Sequence, residues 1–213
     1  MDKHLTWNNH VLKVGSKISR TIGVMARLKK TLSSQVLKMI YCSLIQSNIM
    51  YGLLVWGFNV TKIYVLQKKA IRLIDKAFFL EHTEKLFKKY NLLTITDLFN
   101  LRCLNLIFRI FNGTCPSYVS NIVTFDNSND IVIPMNGSNT TSYQKCLRFY
   151  LPIFVRSCPR VILDCIFTKT ENSFNHFFKK YFIQNYSDSP CILSNCYSCR
   201  LKAGLRQNFN HDS

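Results

Sequence analysis

Two-metal polymerase and nuclease chemistry needs clustered carboxylates. The 213-residue sequence has eleven acidic residues, all scattered, with no Asp-Asp, Asp-x-Asp or Asp-x-Glu pair. The tightest pair, Glu81 and Glu84, sits at the start of a basic helical segment, where capping accounts for it. No catalytic residue is therefore assigned. His82-Thr83-Glu84 imitates the His-x-Glu of zinc deaminases. Their second motif needs Cys-x-x-Cys directly after proline, whereas the cysteine after Pro190-Cys191 is Cys196, so the match fails. With seven glycines in all, the chain has no glycine-rich phosphate loop.

Thiols and imidazole offer a weaker opportunity. Cys191, Cys196, Cys199 and His211 give Cys-x4-Cys-x2-Cys-x11-His, four side chains of the type that can hold zinc tetrahedrally. The spacing matches no common knuckle, and unligated thiols in a polar tail are the simpler expectation. No cofactor is expected. Nine cysteines is an odd number, and six of them lie singly between Cys42 and Cys165. Together with a polar, mixed N-terminal stretch, this favours a reducing compartment, nucleus or cytoplasm, over secretion.

The strongest physical signal is charge. There are 28 Lys+Arg against 11 Asp+Glu, a formal net charge of +17, and residues 1–112 carry +13 of it. Such an excess attracts polyanions, of which nucleic acid is the usual one.

These charges need elements to position them. Trp7, Val11, Val14, Ile18, Ile22, Met25 and Leu28 recur at steps of three and four, predicting a helix over 5–30 with Thr6 as its N-cap. Trp7 and Ile18 are expected in the core. Lys13, Lys17 and Arg20 fall on the opposite side. A second helix is expected from Ser33 or Ser34. Its apolar residues Val36, Leu37, Ile40, Leu44, Ile45 and Ile49 spread around the circumference, which predicts burial on several sides at the centre of a bundle. A third helix, 61–78, would bury Ile63, Leu66, Ala70, Leu73 and Ala77. It would carry a second basic stripe of Lys62, Lys69, Arg72 and Lys76. If the first and third helices pack on the second, the two stripes border one phosphate-tracking groove.

A short helix near 83–90 follows. Another begins after Thr96 as cap, with Leu98, Leu101, Leu104 or Asn105, Phe108 and Phe111 periodic, and stops at Gly113. The fold class is all-α. A helical bundle over 1–112 is followed by a linker or loosely structured segment at 113–145 with a short strand near 131–133. A helical region at 146–186 and a cysteine-containing tail at 187–213 complete the chain. Thr170 or Ser173 would cap the last helix. Most aromatic residues lie at core spacing; Tyr64 and Tyr90 are the candidates for base contact. Residues 39–58 carry no charge over a bilayer-spanning length. Gln46, Ser47 and Asn48 at the middle argue for a buried helix and a turn instead, so no membrane partner is expected.

In order and spacing, several segments resemble the region just after the catalytic palm of non-LTR (jockey-like, LINE-type) retrotransposon reverse transcriptases. They are Asp2-Lys3-His4-Leu5-Thr6-Trp7-Asn8-Asn9-His10, Lys17-Ile18-Ser19-Arg20-Thr21-Ile22-Gly23, Tyr51-Gly52-Leu53-Leu54-Val55-Trp56-Gly57 and Leu66-Gln67-Lys68-Lys69-Ala70-Ile71-Arg72-Leu73-Ile74. His82-Thr83-Glu84-Lys85-Leu86-Phe87, then Leu93, Ile95 and Asp97-Leu98, follow the same family pattern. The likeness runs from about Met1 to Ser120 and more weakly to Tyr186. It implies a thumb and connector that hold an RNA or RNA–DNA duplex through phosphates, with Lys13, Lys17, Arg20, Lys62, Lys69 and Arg72 as the contacts.

The family's fingers, palm and Tyr-x-Asp-Asp hairpin are absent. Pro159-Arg160-Val161-Ile162-Leu163 stands where relatives have Leu-Trp-Asn-x-Leu-Pro. The expectation is a fragment or decayed copy without activity of its own, in which magnesium would serve only the intact relative. The other expectation is an inert or domesticated remnant acting as a structural module, with a protein partner on its palm-facing surface.

Overall fold

The structure, a computed structural model, describes residues 7–58, 60–78, 81, 83–125, 131–133, 146–168, 170–184 and 186. They are mostly helical. They form two compact units, one from residues up to Phe99 together with Lys180 to Tyr186, the other from Asn100 to Lys179. The division falls inside a helix rather than at Gly113. A continuous 17-residue helix can be buried over its whole length, and its two halves belong to different units.

In the first unit, α1 (Asn8–Leu28) buries Val11, Val14, Gly15, Ile18, Ile22 and Met25, as the periodicity predicts. Its N-terminus differs. Thr6 lies outside the described residues, and the residue before the helix is Trp7, in a left-handed conformation (φ 57°) without a side-chain cap. Trp7 is off the helical face and only half-buried, while Ile18 is 1% exposed, so only Ile18 is core.

Next comes one helical run: α2 (Ser34–Ile40), a π-helical turn (Tyr41–Gln46) and α3 (Ser47–Met50). Ser33 caps it, its hydroxyl accepting from Val36 N. The buried residues are Leu37, Tyr41, Ile45 and Ile49, at strict steps of four. In a pure α-helix a step of four drifts by about 40°, since one turn takes about 3.6 residues. The wider π turn takes up that drift and keeps the stripe on one side. Val36 and Leu44 stay exposed, so burial on several sides is not found here. It is found in α7 (Ile95–Phe111) instead, where Ile95, Leu98, Phe99, Asn100, Cys103, Leu104, Ile107 and Phe108 are all buried. Side chains supply extra partners for carbonyls in and next to the π turn: Ser43 donates to Ile40 O (3.2 Å), Ser47 to Ser43 O and Asn48 to Leu44 O (2.6 Å).

Residues 39–58 do not form one continuous helix. Tyr51 is extended and Gly52 left-handed (φ 62°) before the short α4 (Leu53–Trp56). Trp56 is buried, its Nε1 donating to Tyr51 O at 2.7 Å. Among the described residues, no helix is long and apolar enough to cross a membrane. α5 (Thr61–Asp75) buries Ile63, Gln67, Ala70, Ile71 and Ile74, a face turned slightly from the predicted one. Leu66, Leu73 and Ala77 are only half-buried. The cause is Gln67. Its side-chain nitrogen donates to Tyr41 Oη (2.8 Å) and Leu93 O (3.0 Å), and its oxygen accepts from Ile95 N (2.9 Å). Burial pushes the Tyr41 hydroxyl pKa well above its ordinary value, against the smaller effect of the Gln67 hydrogen bond.

α6 (Glu84–Lys89) has Glu84 in its first turn, the favourable end for an acid. At the start of α7 the cap is Thr94, not Thr96: Thr94 Oγ1 accepts from Asp97 N at 3.3 Å. Tyr186 closes this end, accepting from Thr94 N (2.9 Å) and donating to Asp97 Oδ2 (2.7 Å).

The second unit contains the rest of α7, which ends at left-handed Gly113 (φ 66°), with Thr114 N donating back to Arg109 O. Then come α8 (Ser117–Ser120) and an antiparallel pair, β1 (Thr124–Phe125) with β2 (Ile131–Val132). α9 (Leu147–Ser157), α10 (Arg160–Thr168) and α11 (Glu171–Gln184) follow, α11 continuing into the first unit at Lys180. The chain is extended at Cys158, before Pro159, and this separates α9 from α10. α11 starts after Thr170, whose carbonyl accepts from Phe174 N, so Ser173 is not its cap. Aromatic rings fill this unit. Phe108 meets Phe174 at 4.6 Å and Phe111 meets Phe167 at 4.8 Å. Tyr150 donates to Asn100 Oδ1 at 3.0 Å.

Candidate nucleic-acid interface

Lys13, Lys17 and Arg20 are exposed on α1, opposite its buried face. Among the described residues no hydrogen bond or ion pair engages their side chains. Arg27 is exposed seven residues beyond Arg20 and extends the same stripe. Lys13 to Arg27 then spans about 21 Å at the helical rise. The sequence reading missed Arg27, although the three- and four-residue steps 13, 17, 20, 24, 27 contain it. The intervening position is Val24, exposed within the stripe.

On α5, Lys62 and Lys69 are exposed, as is Lys76 just beyond the helix, and Arg72 is half-buried. Arg72 is already engaged: its Nε donates to Glu81 O at 2.8 Å, tying α5 to the connection before α6. Arg72 is thus partly structural, whereas Lys62 and Lys69 have no such tie among the described residues. Lys85 on α6 is a further exposed cation.

The two aromatic candidates are both occupied. Tyr64 is half-buried, with the Lys68 ammonium 4.3 Å from its ring centre. Tyr90 donates to Asp75 Oδ1 at 2.7 Å, and Lys89 pairs with the same oxygen. Burial alone would raise the Asp75 carboxyl pKa. The hydrogen bonds from Lys89 and Tyr90, with the Lys89 charge, hold it below the usual carboxylate value. Neither tyrosine therefore presents an unengaged ring for stacking.

How the stripes relate follows from how their helices meet. α1 and α5 pack directly on each other, Gly15 lying against Ile63 and Leu66. A Cβ at Gly15 would sit 3.5 Å from Ile63 Cδ1 and 3.8 Å from Leu66 Cδ1, ordinary contact distances, so the helices meet here without requiring glycine. Both helices also touch the 34–50 run. Each stripe lies on the side turned away from its helix's buried face. The stripes are two outward ridges on helices that pack directly on each other.

Two residues of the quoted segments, His10 and Gly57, have a structural role. His10 lies between Trp7 (6.2 Å) and Trp56 (5.7 Å), joining the first and third of those segments. Its Nε2 is buried without a hydrogen-bond partner among the described residues. At Gly57 an added Cβ would overlap Leu53 O and the Phe99 ring, so no larger residue fits.

Among the described residues no group of His, Cys, Asp or Glu is placed to hold a metal ion. Cys191, Cys196, Cys199 and His211 lie outside the described residues. Cys42, Cys103, Cys115, Cys146, Cys158 and Cys165 are not joined in disulfides, and burial pushes the Cys158 thiol up to about 12. No family model, no curated protein and no solved structure matches the chain.

Proposed function

We propose that this chain is a nucleic-acid-binding helical module, similar to the thumb of non-LTR retrotransposon reverse transcriptases and without polymerase activity of its own. The observation that carries the reading is the pair of exposed basic ridges, Lys13-Lys17-Arg20 and Lys62-Lys69, whose side chains are unpaired among the described residues. Unpaired lysine and arginine on a surface of high positive charge release counterions when they meet phosphates. With Tyr64 and Tyr90 engaged elsewhere, the reading favours backbone contact with duplex or structured RNA or an RNA–DNA hybrid, with little sequence preference. Nucleus or cytoplasm is the compartment that suits it.

Binding is expected to weaken steeply with salt, each contacting charge contributing about 0.7–0.9 to the slope of log K against log salt. The measurement is a fluorescence-anisotropy titration of a labelled hairpin RNA across ionic strength. Lys17→Gln with Arg20→Gln, and separately Lys62→Gln with Lys69→Gln, should each lower the slope by about 1.4–1.8. An affinity that stays flat with salt in the parent would falsify the reading. A pair that leaves the slope untouched removes its ridge from the interface.

Primer extension on an RNA template, with magnesium or manganese, is expected to give no incorporation above a mock preparation. Incorporation that disappears on mutating an acid of this chain would overturn that part of the proposal.

A further inference from the structure

Among the described residues, Phe78 is the most exposed large apolar side chain, at 88%. It stands on a turn that is fastened on both sides. α5 ends in a Schellman motif, with Lys76 N donating to Leu73 O (3.3 Å) and Ala77 N to Arg72 O (3.0 Å). Beyond the ring, Glu81 N donates back to Phe78 O at 3.2 Å, and Arg72 Nε donates to Glu81 O. The left-handed residue of the motif is Lys76 (φ 58°), where glycine is usual, so the turn keeps a cation at a backbone cost. Lys62 and Lys69 lie one step of seven apart on the exposed side of α5, and Lys76 follows after another seven at its end, also exposed. Of the two carboxylates between residues 72 and 81, Asp75 is paired with Lys89, and Glu81 stands against Arg72 and Lys76.

We propose that Phe78 is a stacking platform for an unpaired base of a nucleic acid whose backbone follows the α5 ridge. This rests on the nucleic-acid reading above and adds a substrate feature to it, a junction between duplex and single strand. An open ring at the end of a line of cations suits a ligand that is anionic and also has a flat apolar face. A nucleotide has both: its phosphate meets Lys69 or Lys76, and its base covers a ring face that water now touches. Bases inside a duplex are closed to such a ring because they stack on one another, so the base must be unpaired. Stacking is tolerant of sequence, since every base has a π-face. The Arg72 tie to Glu81 then gains a purpose, which is to hold the turn that presents the ring.

The test is an anisotropy titration of the full chain with three labelled RNAs. One is a blunt hairpin. The second carries a short single-stranded extension, and in the third that extension is abasic, which keeps the phosphates and removes the bases. The natural extension is expected to bind about fivefold or more tighter than the abasic one. Phe78→Ala should abolish that preference. It should leave the salt slope for the blunt hairpin unchanged, because stacking releases no counterions. Phe78→Trp should keep the preference, and its added emission should be quenched by the natural extension and not by the abasic one. Circular dichroism should show both variants folded, as the ring is exposed. Equal affinity of the parent for the two extensions, or a preference that survives Phe78→Ala, overturns the proposal; a ring that instead meets a protein gives the first of these results. In both cases salt-dependent binding of the blunt hairpin leaves the nucleic-acid reading standing, whereas its absence removes both.

Discussion

Gln67→Leu is expected to destabilise the first unit by about 3 kcal/mol or more, although leucine is nearly the same size. The glutamine supplies every hydrogen bond that three groups around it receive from its side chain: Tyr41 Oη, Leu93 O and Ile95 N. Each buried polar group left without a partner costs about 1–3 kcal/mol. The amide orientation is fixed by its neighbours, since Leu93 offers only an acceptor and Ile95 only a donor. Urea unfolding followed by circular dichroism measures the effect. Tyr41→Phe gives the internal comparison, because it removes one of the three bonds and should cost clearly less. A Gln67→Leu chain within about 1 kcal/mol of the parent would mean that the backbone finds other partners and the amide is not the tie described.

Gly57→Ala should cost about 3 kcal/mol for one methyl group, at the upper end for overpacking. The glycine φ is −63°, ordinary for alanine, so the penalty is steric and not torsional. The new methyl would overlap Leu53 O and the ring of Phe99, whose Cε2 would lie only 2.8 Å away. Gly52→Ala is the contrasting case. It has positive φ, and its nearest new contact, Trp56 Cδ1, would be an ordinary 3.7 Å away, so its cost is torsional at about 1–2 kcal/mol. Pairing Gly57→Ala with Phe99→Leu in a double-mutant cycle separates the causes. The smaller side chain should recover part of the loss, and strict additivity would remove Phe99 as the source of strain.

Much of this was readable from residue spacing, and the failures have physical causes. The α1 face could be read because six of its apolar positions recur at helical steps with charge opposite. Gln67 was missed because a polar residue on an apolar face looks like the edge of that face. Its surroundings were the available signal: Ile63, Leu66, Ala70, Ile71 and Ile74 enclose it on a helix. Thr94 was passed over for Thr96, yet Thr94-Ile95-Thr96-Asp97 has the Ser/Thr-x-x-acid spacing of a capping box. Burial on several sides was expected of the 34–50 run because composition cannot tell a covered face from an open one. For the candidate interface, the exposed cations were legible one by one. Their arrangement was not, since it depends on α5 packing directly against α1, a long-range contact that residue spacing does not announce. The engagement of Arg72 by the Glu81 carbonyl leaves no mark in the sequence at all.

The Tyr186 hydroxyl has a consequence for the order in which the protein can be made. It satisfies Thr94 N across 92 positions of chain. Translation delivers α1 through α6 early, but the group that completes the Thr94–Asp97 corner emerges only after the whole second unit has been synthesised. Until that segment arrives the first unit lacks this contact, and the Thr94 amide is left to water. A gene stopped before codon 180 would leave that contact unmade permanently, and its product should be more readily digested by protease near Thr94 than the longer chain.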